Sequence, residues 1–187
     1  MAQVYLRRLT GSDATGLLDL RRRNRAFFEP FEPIRPDREF ASEGIRDLLS
    51  QDALHWERGS GYGFGIFLGG EDKLVGRVNL SNVVRGAWES CTVGYYLDKD
   101  MNGRGLMTEA LGLALEYAFG EAGLHRVQAA VMPRNLPSIR VVEKNGFRYE
   151  GLAEYYLKIN GRWEHHHIYS LTREHWTPGR RLPDDMN

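Results

Sequence analysis

The sequence predicts one domain of mixed α/β class. Several short runs, of which residues 62–68 are the clearest, alternate in the way that is typical of strands. Over residues 108–120, apolar side chains recur at the spacing of one face of a helix. A turn with two glycines, at residues 98–105, joins a strand-like run to that helix. A chain of 187 residues is long enough to bury one full hydrophobic core.

The N-terminal third of the chain predicts one strand and two helices. Alternation predicts the strand over residues 4–9, and residues 10–13 form a turn whose polar side chains cap a helix over residues 14–24. Residues 27–33 predict an irregular loop, because their prolines disfavour regular structure. A second helix is predicted within residues 36–58.

The middle of the chain predicts a hairpin of two strands. Residues 62–68 and 73–81 flank a glycine-rich turn. Within the second strand, alternation places Leu74, Val78 and Leu80 on one face. The remaining predicted elements are a strand over 92–97, a helix over 108–120, a strand over 126–132, a helix over 137–145, and a final hairpin of strands over 151–159 and 163–172.

The composition limits the possible partners and compartments. Acidic and basic residues balance at 25 each, so no basic excess attracts nucleic acid. The single cysteine, Cys91, excludes an internal disulfide, fits a reducing compartment and has the strand position of a buried residue. The sequence shows no signal-peptide core and no apolar run of ~18–20 residues. We therefore expect a cytoplasmic protein with neither a membrane nor a nucleic-acid partner.

Nothing in the sequence marks a second domain. Residues 1–176 are predicted to form a single domain, and residues 177–187 are predicted to form a flexible tail. The histidines at 165–167 are not expected to bind a metal, because successive side chains of a strand point to opposite faces and cannot converge. The sequence leaves the oligomeric state open.

The turn before the helix at 108–120 contains Gly103 and Gly105. Glycines that precede a helix N-terminus leave a row of backbone N–H groups that can hold a pyrophosphate, and the helix dipole also favours anions. A dinucleotide fingerprint lacks its third glycine, because Thr108 stands in that place, and a Walker A motif is absent. The turn therefore favours a different nucleotide-bearing cofactor.

A second motif follows in residues 135–147, where N-x-x-S precedes N-G-F. The ordered set of strand, D-x-x-G-x-G turn, helix, strand and N-x-x-S…N-G-F helix resembles the GNAT acetyltransferases. Within that family the chain resembles the RimJ/RimL group, which acetylates the N-termini of ribosomal proteins, and the resemblance spans residues 4–180. The segments most similar to the RimJ branch are residues 79–86, 105–107, 156–163 and 175–180.

The resemblance implies a central, mostly antiparallel sheet that is splayed in the middle, and it implies an acetyl-CoA site. In the family, the strand before the glycine turn opens away from its neighbour and binds the pantetheine arm, while the turn binds the pyrophosphate. On this chain the implied cofactor-binding residues are Val93, Tyr95, Tyr96, Leu97, Asn102, Gly103, Arg104, Gly105, Leu106, Met107, Thr108, Asn135 and Ser138.

The resemblance also bears on the group that stabilises the departing thiolate. Many GNAT enzymes place a tyrosine seven residues after the motif asparagine as a general acid, and this chain has Val142 there. The RimL-like pattern places a serine near the sulfur instead, which maps to Ser138 and implies a hydrogen bond to the thiolate. The alternative is that Ser138 only caps its own helix.

The resemblance does not supply the general base. The positions that hold a glutamate in some relatives are Ala130 and Leu157 here. A protein α-amine has a pKa of about 7.7–8.0, against about 10.4 for lysine, so a strong base is less necessary for an N-terminus. Glu32 is the candidate base, and Glu89 and Glu154 compete with it.

The aromatic loop at residues 27–33 is predicted to line the acceptor side of the site, although its phenylalanines could instead fill the core. The candidate substrate-binding residues are Phe28, Phe31, Glu32, Asn79 and Ser81.

The sequence thus predicts acetyl transfer from acetyl-CoA to an α-amine by direct attack in a ternary complex. The resemblance implies the N-terminal alanine of a small-subunit ribosomal protein as the acceptor. Two alternatives stay open. One is an acetyltransferase for a small amine such as a polyamine, an antibiotic or an amino acid. The other is a catalytically weak CoA-binding module that acts in ribosome assembly.

Overall fold

The computed structural model describes residues 3–178, which form a seven-stranded sheet with helices on both faces. The strands are β1 (Val4–Arg8), β2 (Tyr62–Leu68), β3 (Leu74–Val84), β4 (Ser90–Leu97), β5 (Arg126–Val131), β6 (Arg148–Ile159) and β7 (Arg162–Thr172). The helices are α1 (Ala14–Arg23), α2 (Arg25–Phe28), α3 (Ser42–Arg58), α4 (Leu106–Phe119) and α5 (Leu136–Lys144).

The strands lie in the order β1-β2-β3-β4-β5-β7-β6. Every neighbouring pair is antiparallel except β4 and β5, which run parallel. A parallel pair needs a crossover connection, and α4 provides it. The predicted mixed α/β class with a mostly antiparallel sheet is confirmed.

The two parallel strands separate soon after they meet. β4 pairs with β5 only over residues 90–92. Over residues 93–97, β4 keeps β3 on one side, and residues 129–131 of β5 keep β7. The two facing edges have no strand partner there within residues 3–178, so their backbone groups are available to a ligand. The splayed sheet that the resemblance implies is therefore present.

Each face of the sheet carries its own hydrophobic core. α4 covers one face, where Leu111 and Leu115 are fully buried. α1 and α3 cover the other face with side chains such as Leu17 and Ile45. Cys91 lies in the α4 core, and its burial raises the pKa of the thiol to about 12.

The irregular loop that the prolines predict over residues 27–33 is present only at residues 32–33, because residues 27–31 are helical. α2 continues into a 3-10 turn, Glu29–Phe31. The carbonyl of Asn24 accepts the amide of Phe28 at 3.0 Å, which starts the helical path. Pro30 is tolerated because it lies at the beginning of a helical turn, where its missing N–H removes no helical hydrogen bond.

β3 differs from the prediction in the direction of one side chain. The pairing of β2 with β3 shifts between Ile66 and Phe67, and such a bulge moves side chains to the opposite face. Leu74 therefore packs in the core beneath α1 and α3, whereas Val78 and Leu80 pack in the α4 core. The prediction that these three leucine and valine side chains share a face is wrong.

No helix within residues 3–178 has both the length and the apolar character that a membrane crossing requires. The predicted tail lies outside the described residues from position 179 onwards, and the domain boundary at residue 176 stays a prediction.

Candidate active site

The glycine turn forms the entrance to α4. Gly103 and Gly105 have φ angles of +77° and +74°, which glycine adopts without the steric cost that other residues meet. Gly105 is the residue that caps the helix. The amides of Leu106, Met107 and Thr108 thus lie in the first helical turn, where no intrahelical acceptor exists. These amides and the helix dipole suit a pyrophosphate.

The beginning of this turn is anchored to the end of α1. Asp98 is buried, and its Oδ2 accepts hydrogen bonds from Nε and Nη2 of Arg23 at 2.9 and 2.7 Å. Oδ1 of Asn24 accepts the amide of Lys99 at 3.0 Å, and Asn102 donates to the Asp98 carbonyl at 3.0 Å. Burial alone would raise the pKa of Asp98, but the hydrogen bonds from Arg23 and a backbone amide hold it below its ordinary value.

Sequence reasoning missed the roles of Arg23 and Asn24. Both lie 75 positions from their partners in the turn, so no local pattern connects them. An aspartate just before a glycine turn is the only local signal of such an anchor.

Arg104, which the resemblance places beside the pyrophosphate, is exposed on the turn.

Tyr95, Asn135 and Ser138 meet where the sheet is splayed. The hydroxyl oxygens of Tyr95 and Ser138 are 2.8 Å apart, and the Tyr95 hydroxyl also donates to the Ser138 carbonyl at 3.2 Å. Asn135 caps α5, because its Oδ1 accepts the Ser138 amide at 3.3 Å. Burial raises the pKa of Tyr95 to about 12, so its phenol is protonated at neutral pH.

The hydroxyl of Ser138 is therefore not the cap of its helix, since Asn135 performs that task. Val142 is fully buried in the core and offers no proton donor. A phenol from β4, that of Tyr95, lies beside Ser138 instead. Sequence spacing does not reveal this pair, because the two residues are 43 positions apart and lie on elements joined only through the crossover.

The other predicted cofactor residues of β4 present only their backbone to the splay. Val93 and Leu97 are buried in the α4 core. Tyr96 lies on the opposite face, where its ring is 4.9 Å from that of Phe28 and 5.1 Å from the guanidinium carbon of Arg21. A ligand between the separated strands would thus meet main-chain groups along this edge.

A cavity of about 370 Å³ opens on the face of the sheet that α1 and α3 cover. Arg77, Asn79 and Tyr96 lie at its floor, on β3 and β4. Asn79 pairs with Gly94, which belongs to the part of β4 that has left β5. The walls come from α3 and from residues 35–39. The cavity therefore adjoins the splay from the face opposite to Ser138.

Three of the predicted acceptor residues contact other groups rather than this cavity. Phe28 is buried against Tyr96. Phe31 is 41% exposed, and the guanidinium carbon of Arg134 lies 6.0 Å from its ring centre. The Ser81 hydroxyl is exposed and lies 3.1 Å from a threonine hydroxyl on the neighbouring strand. Among the residues predicted for the acceptor side, Asn79 lines the cavity.

Glu32 forms ion pairs through both of its carboxylate oxygens. Arg21 donates to the two oxygens at 2.8 and 3.1 Å, and Nε of Arg35 donates to one of them at 3.1 Å. The Glu32 carbonyl accepts the amide of Asn160 at 2.9 Å, which ties this loop to the turn between β6 and β7. These contacts favour a structural role, because they occupy the oxygens with which a base accepts a proton. The base role of Glu32 stays a prediction.

Arg77 is a buried cation at the floor of the cavity. Its side chain is 3% exposed, and its Nη2 donates to Oδ2 of Asp52 at 2.5 Å and to Oδ1 of Asn79 at 2.9 Å. Its Nε is buried and has no partner within the described residues. Burial raises the pKa of Asp52, although the positive charge of Arg77 opposes that rise.

The histidine run on β7 is involved in packing. The ring of His167 lies 5.1 Å from that of Tyr149, and the buried His166 lies 5.8 Å from Tyr156. Within residues 3–178, no three histidine, cysteine or acidic side chains are grouped in a way that could hold a metal ion.

Comparison with known proteins gives a consistent result. Residues 3–148 match the family model for the acetyltransferase (GNAT) domain. The chain is 46% identical over 168 residues to "Probable N-acetyltransferase YjcK" of Bacillus subtilis (strain 168), a match that covers 90% of this chain and 93% of that protein. It is 36% identical over 178 residues to the ribosomal protein uS5-alanine N-acetyltransferase of Escherichia coli (strain K12), with 95% and 92% coverage.

The similarity extends to three-dimensional structure. The structure of Mycobacterium smegmatis RimJ in complex with CoA-disulfide superposes with a TM-score of 0.87 at 33% identity. That match covers 91% of this chain and 82% of the other. The family match, the relatives that span nearly the whole chain and the superposition on a solved structure show that this protein belongs to the GNAT acetyltransferases.

Proposed function

We propose that this protein transfers the acetyl group of acetyl-CoA to the N-terminal α-amine of a protein, with the N-terminal alanine of a small-subunit ribosomal protein as the acceptor. The observation that carries the proposal is the splay between β4 and β5, with the glycine turn after one strand and the Tyr95–Ser138 pair beside it. Two relatives support it: one is named a ribosomal protein uS5-alanine N-acetyltransferase, and the RimJ structure holds a CoA disulfide.

The residues present fit acetyl-CoA, which supplies an activated acetyl thioester when it is bound. The amides of residues 106–108 would hold the pyrophosphate, and the unpaired edge of β4 would hold the amide groups of the pantetheine arm. The outer side of the turn is open, because a Cβ placed on Gly103 or Gly105 meets no atom within 4 Å.

The chemistry fits direct attack by the acceptor amine. Cys91 is unsuited to carry the acetyl group, because it is buried and its thiol has a pKa of about 12. The Ser138 hydroxyl would donate a hydrogen bond to the departing sulfur. The single proton of the Tyr95 hydroxyl would then turn from the Ser138 carbonyl to Oγ of Ser138. These two hydroxyls would thus stabilise the charge that develops on the sulfur.

An α-amine depends less on a general base in the protein than a lysine or a polyamine does. Its pKa of about 7.7–8.0 leaves about a tenth of it uncharged at neutral pH, whereas lysine at about 10.4 is almost fully protonated. Both oxygens of Glu32 are engaged by arginines, so a weakly basic site matches an acceptor that deprotonates readily. An N-terminus therefore suits this site better than a lysine or a polyamine.

The proposal is tested by the release of CoA with three acceptors. These are an alanine-initiated peptide, the same peptide with a blocked N-terminus and one lysine, and spermidine. We expect turnover with the first only. Turnover chiefly on spermidine would replace the proposal with a small-amine acetyltransferase, and acetyl-CoA binding without turnover on any acceptor would replace it with a binding module.

Replacing Asp98 by alanine is expected to weaken acetyl-CoA binding about tenfold. The change removes the carboxylate that Arg23 holds, so the glycine turn loses its anchor to α1. The matched control is Asp100→Ala, because Asp100 is an exposed aspartate in the same turn. Calorimetric titration is expected to show a change of less than twofold for the control, and equal effects of the two variants would contradict the anchoring role.

A further inference from the structure

The cavity on the α1/α3 face contains one arginine that no carboxylate neutralises. Arg38 lines the cavity, and within residues 3–178 its side chain has neither an ion pair nor a hydrogen bond. The other arginines that line it are each paired with a carboxylate, and they are Arg21, Arg35 and Arg77. The Arg38 guanidinium therefore places an unpaired positive charge at the wall of the cavity.

The floor of the cavity offers a hydrogen-bond donor. Because Oδ1 of Asn79 accepts from Arg77, the Asn79 amide is oriented and its Nδ2 remains as a donor. A donor of this kind suits a carbonyl oxygen at the beginning of a polypeptide. Asn79 also pairs with Gly94, whose other edge faces the splay between β4 and β5, where the acceptor amine must arrive.

α3 sets the separation between the residue that holds Arg77 at the floor and the residue that packs against the Arg38 backbone. Asp52 holds Arg77 at the floor, and Gly44 packs against the backbone of Arg38. The approach at Gly44 is close, because a Cβ there would lie 2.1 Å from the Arg38 carbonyl oxygen. The helix rise between positions 44 and 52 is about 12 Å. An extended peptide covers about 12 Å in three to four residues.

We propose that this cavity holds the first residues of the acceptor polypeptide and selects acceptors with a carboxylate side chain at the third or fourth residue, with Arg38 as the partner of that carboxylate. Asp47 lies between positions 44 and 52 on α3 and lines the same cavity, so it opposes a carboxylate at the second residue. The proposal rests on the proposed function, because it concerns the acceptor of that same reaction.

The test uses pairs of alanine-initiated peptides that differ at one position only. One peptide of each pair has glutamate at the second, third or fourth position, and the other has glutamine there. We expect glutamate at the third or fourth position to raise kcat/KM about three- to fivefold over glutamine, as for an ion pair at an exposed edge. Glutamate at the second position is expected to give no gain. The advantage should fall as the salt concentration rises.

Substitution of Arg38 tests whether this residue binds the carboxylate of the acceptor. Arg38→Gln is expected to bring the ratio of kcat/KM for the glutamate and glutamine peptides to about one. Arg38→Glu is expected to bring this ratio below one and to favour a third peptide with lysine at the same position. The matched control is Arg46→Gln, because Arg46 is an exposed arginine of α3 that does not line the cavity and bonds only to its own helix. This control is expected to retain the ratio of the parent protein.

The outcomes separate this proposal from the one on which it rests. Equal turnover of the glutamate and glutamine peptides at both positions would overturn the inference and leave N-terminal acetylation standing. A glutamate preference that survives Arg38→Gln would also overturn it. Failure to acetylate any alanine-initiated peptide would overturn the proposed function, and the inference with it.

Discussion

Replacing Ser138 by alanine is expected to lower kcat for acetyl transfer about a hundredfold, because it removes the donor that stabilises the departing thiolate. Binding of acetyl-CoA should change by less than twofold. The fold should tolerate the change, since Asn135 caps α5 through the backbone amide of Ser138, which alanine retains. Single-turnover rates and calorimetric titration measure the two effects separately, and an unchanged rate would remove Ser138 from the mechanism.

Tyr95→Phe provides the second half of this test. Its hydroxyl lies 2.8 Å from that of Ser138, so we expect a loss of about tenfold in kcat from the phenol alone. If Tyr95 acts through Ser138, the double variant should be no slower than Ser138→Ala, because residues that act as a unit are not additive. Losses that multiply in the double variant would contradict a linked pair.

Tyr169→Phe is the matched control for the phenol. Tyr169 is a buried tyrosine of the same sheet whose hydroxyl lies 3.5 Å from Glu143. Its substitution removes the same atom from a tyrosine whose hydroxyl contacts Glu143 rather than Ser138. We expect kcat within twofold of the parent protein, and a larger loss would mean that any tyrosine truncation in this sheet disturbs the site.

The features that the sequence predicts best are those that depend on residues close together in the chain. The glycine turn and α4 were predictable because the glycines, the helix start and the apolar spacing all lie within residues 98–119. The turn between β6 and β7 was equally local, since Asn160 and Gly161 adopt the positive φ angles that such a hairpin requires. The family resemblance extended these local patterns to the splayed sheet.

The errors and omissions arose where the structure depends on distant residues. Leu74 packs on the face opposite to the one that alternation predicts, because a bulge that depends on the partner strand interrupts the alternation. The ion pairs of Glu32 with Arg21 and Arg35 could not be predicted, because nothing in the sequence joins these residues. The Tyr95–Ser138 contact depends on the crossover between β4 and β5, which no residue pattern specifies.

Replacing Arg77 by methionine is expected to destabilise the fold by about 3 kcal/mol, because removal of one partner leaves a buried charge uncompensated. Arg77 is 3% exposed and Asp52 is 20% exposed, so water screens this pair little. For a chain of this length the loss corresponds to a fall in Tm of about 10 °C. Methionine fills much of the volume of the arginine stem, which limits any cavity. Thermal and denaturant unfolding measure the change.

The double variant Arg77→Met/Asp52→Asn is the control that isolates the charge. It removes the carboxylate that Arg77 neutralises, so we expect it to recover more than half of the lost stability. Both variants lose the hydrogen bond to Asn79 equally, and that bond therefore cannot account for the difference between them. A double variant as unstable as Arg77→Met would show that packing, and not the unpaired carboxylate, causes the loss.

The pH dependence gives an independent check on the same charge. Burial raises the pKa of Asp52, and loss of Arg77 should raise it further, because the guanidinium opposes that rise. A carboxyl whose folded-state pKa is raised contributes stability that is complete below its unfolded pKa of about 3.9 and is lost as the pH rises through the folded pKa. The deficit of Arg77→Met relative to the parent protein is therefore expected to shrink as the pH falls from 7 towards 5. The double variant lacks this carboxyl, so its deficit should not shrink over that range. A deficit of Arg77→Met that grows on acidification would contradict a buried, unpaired Asp52.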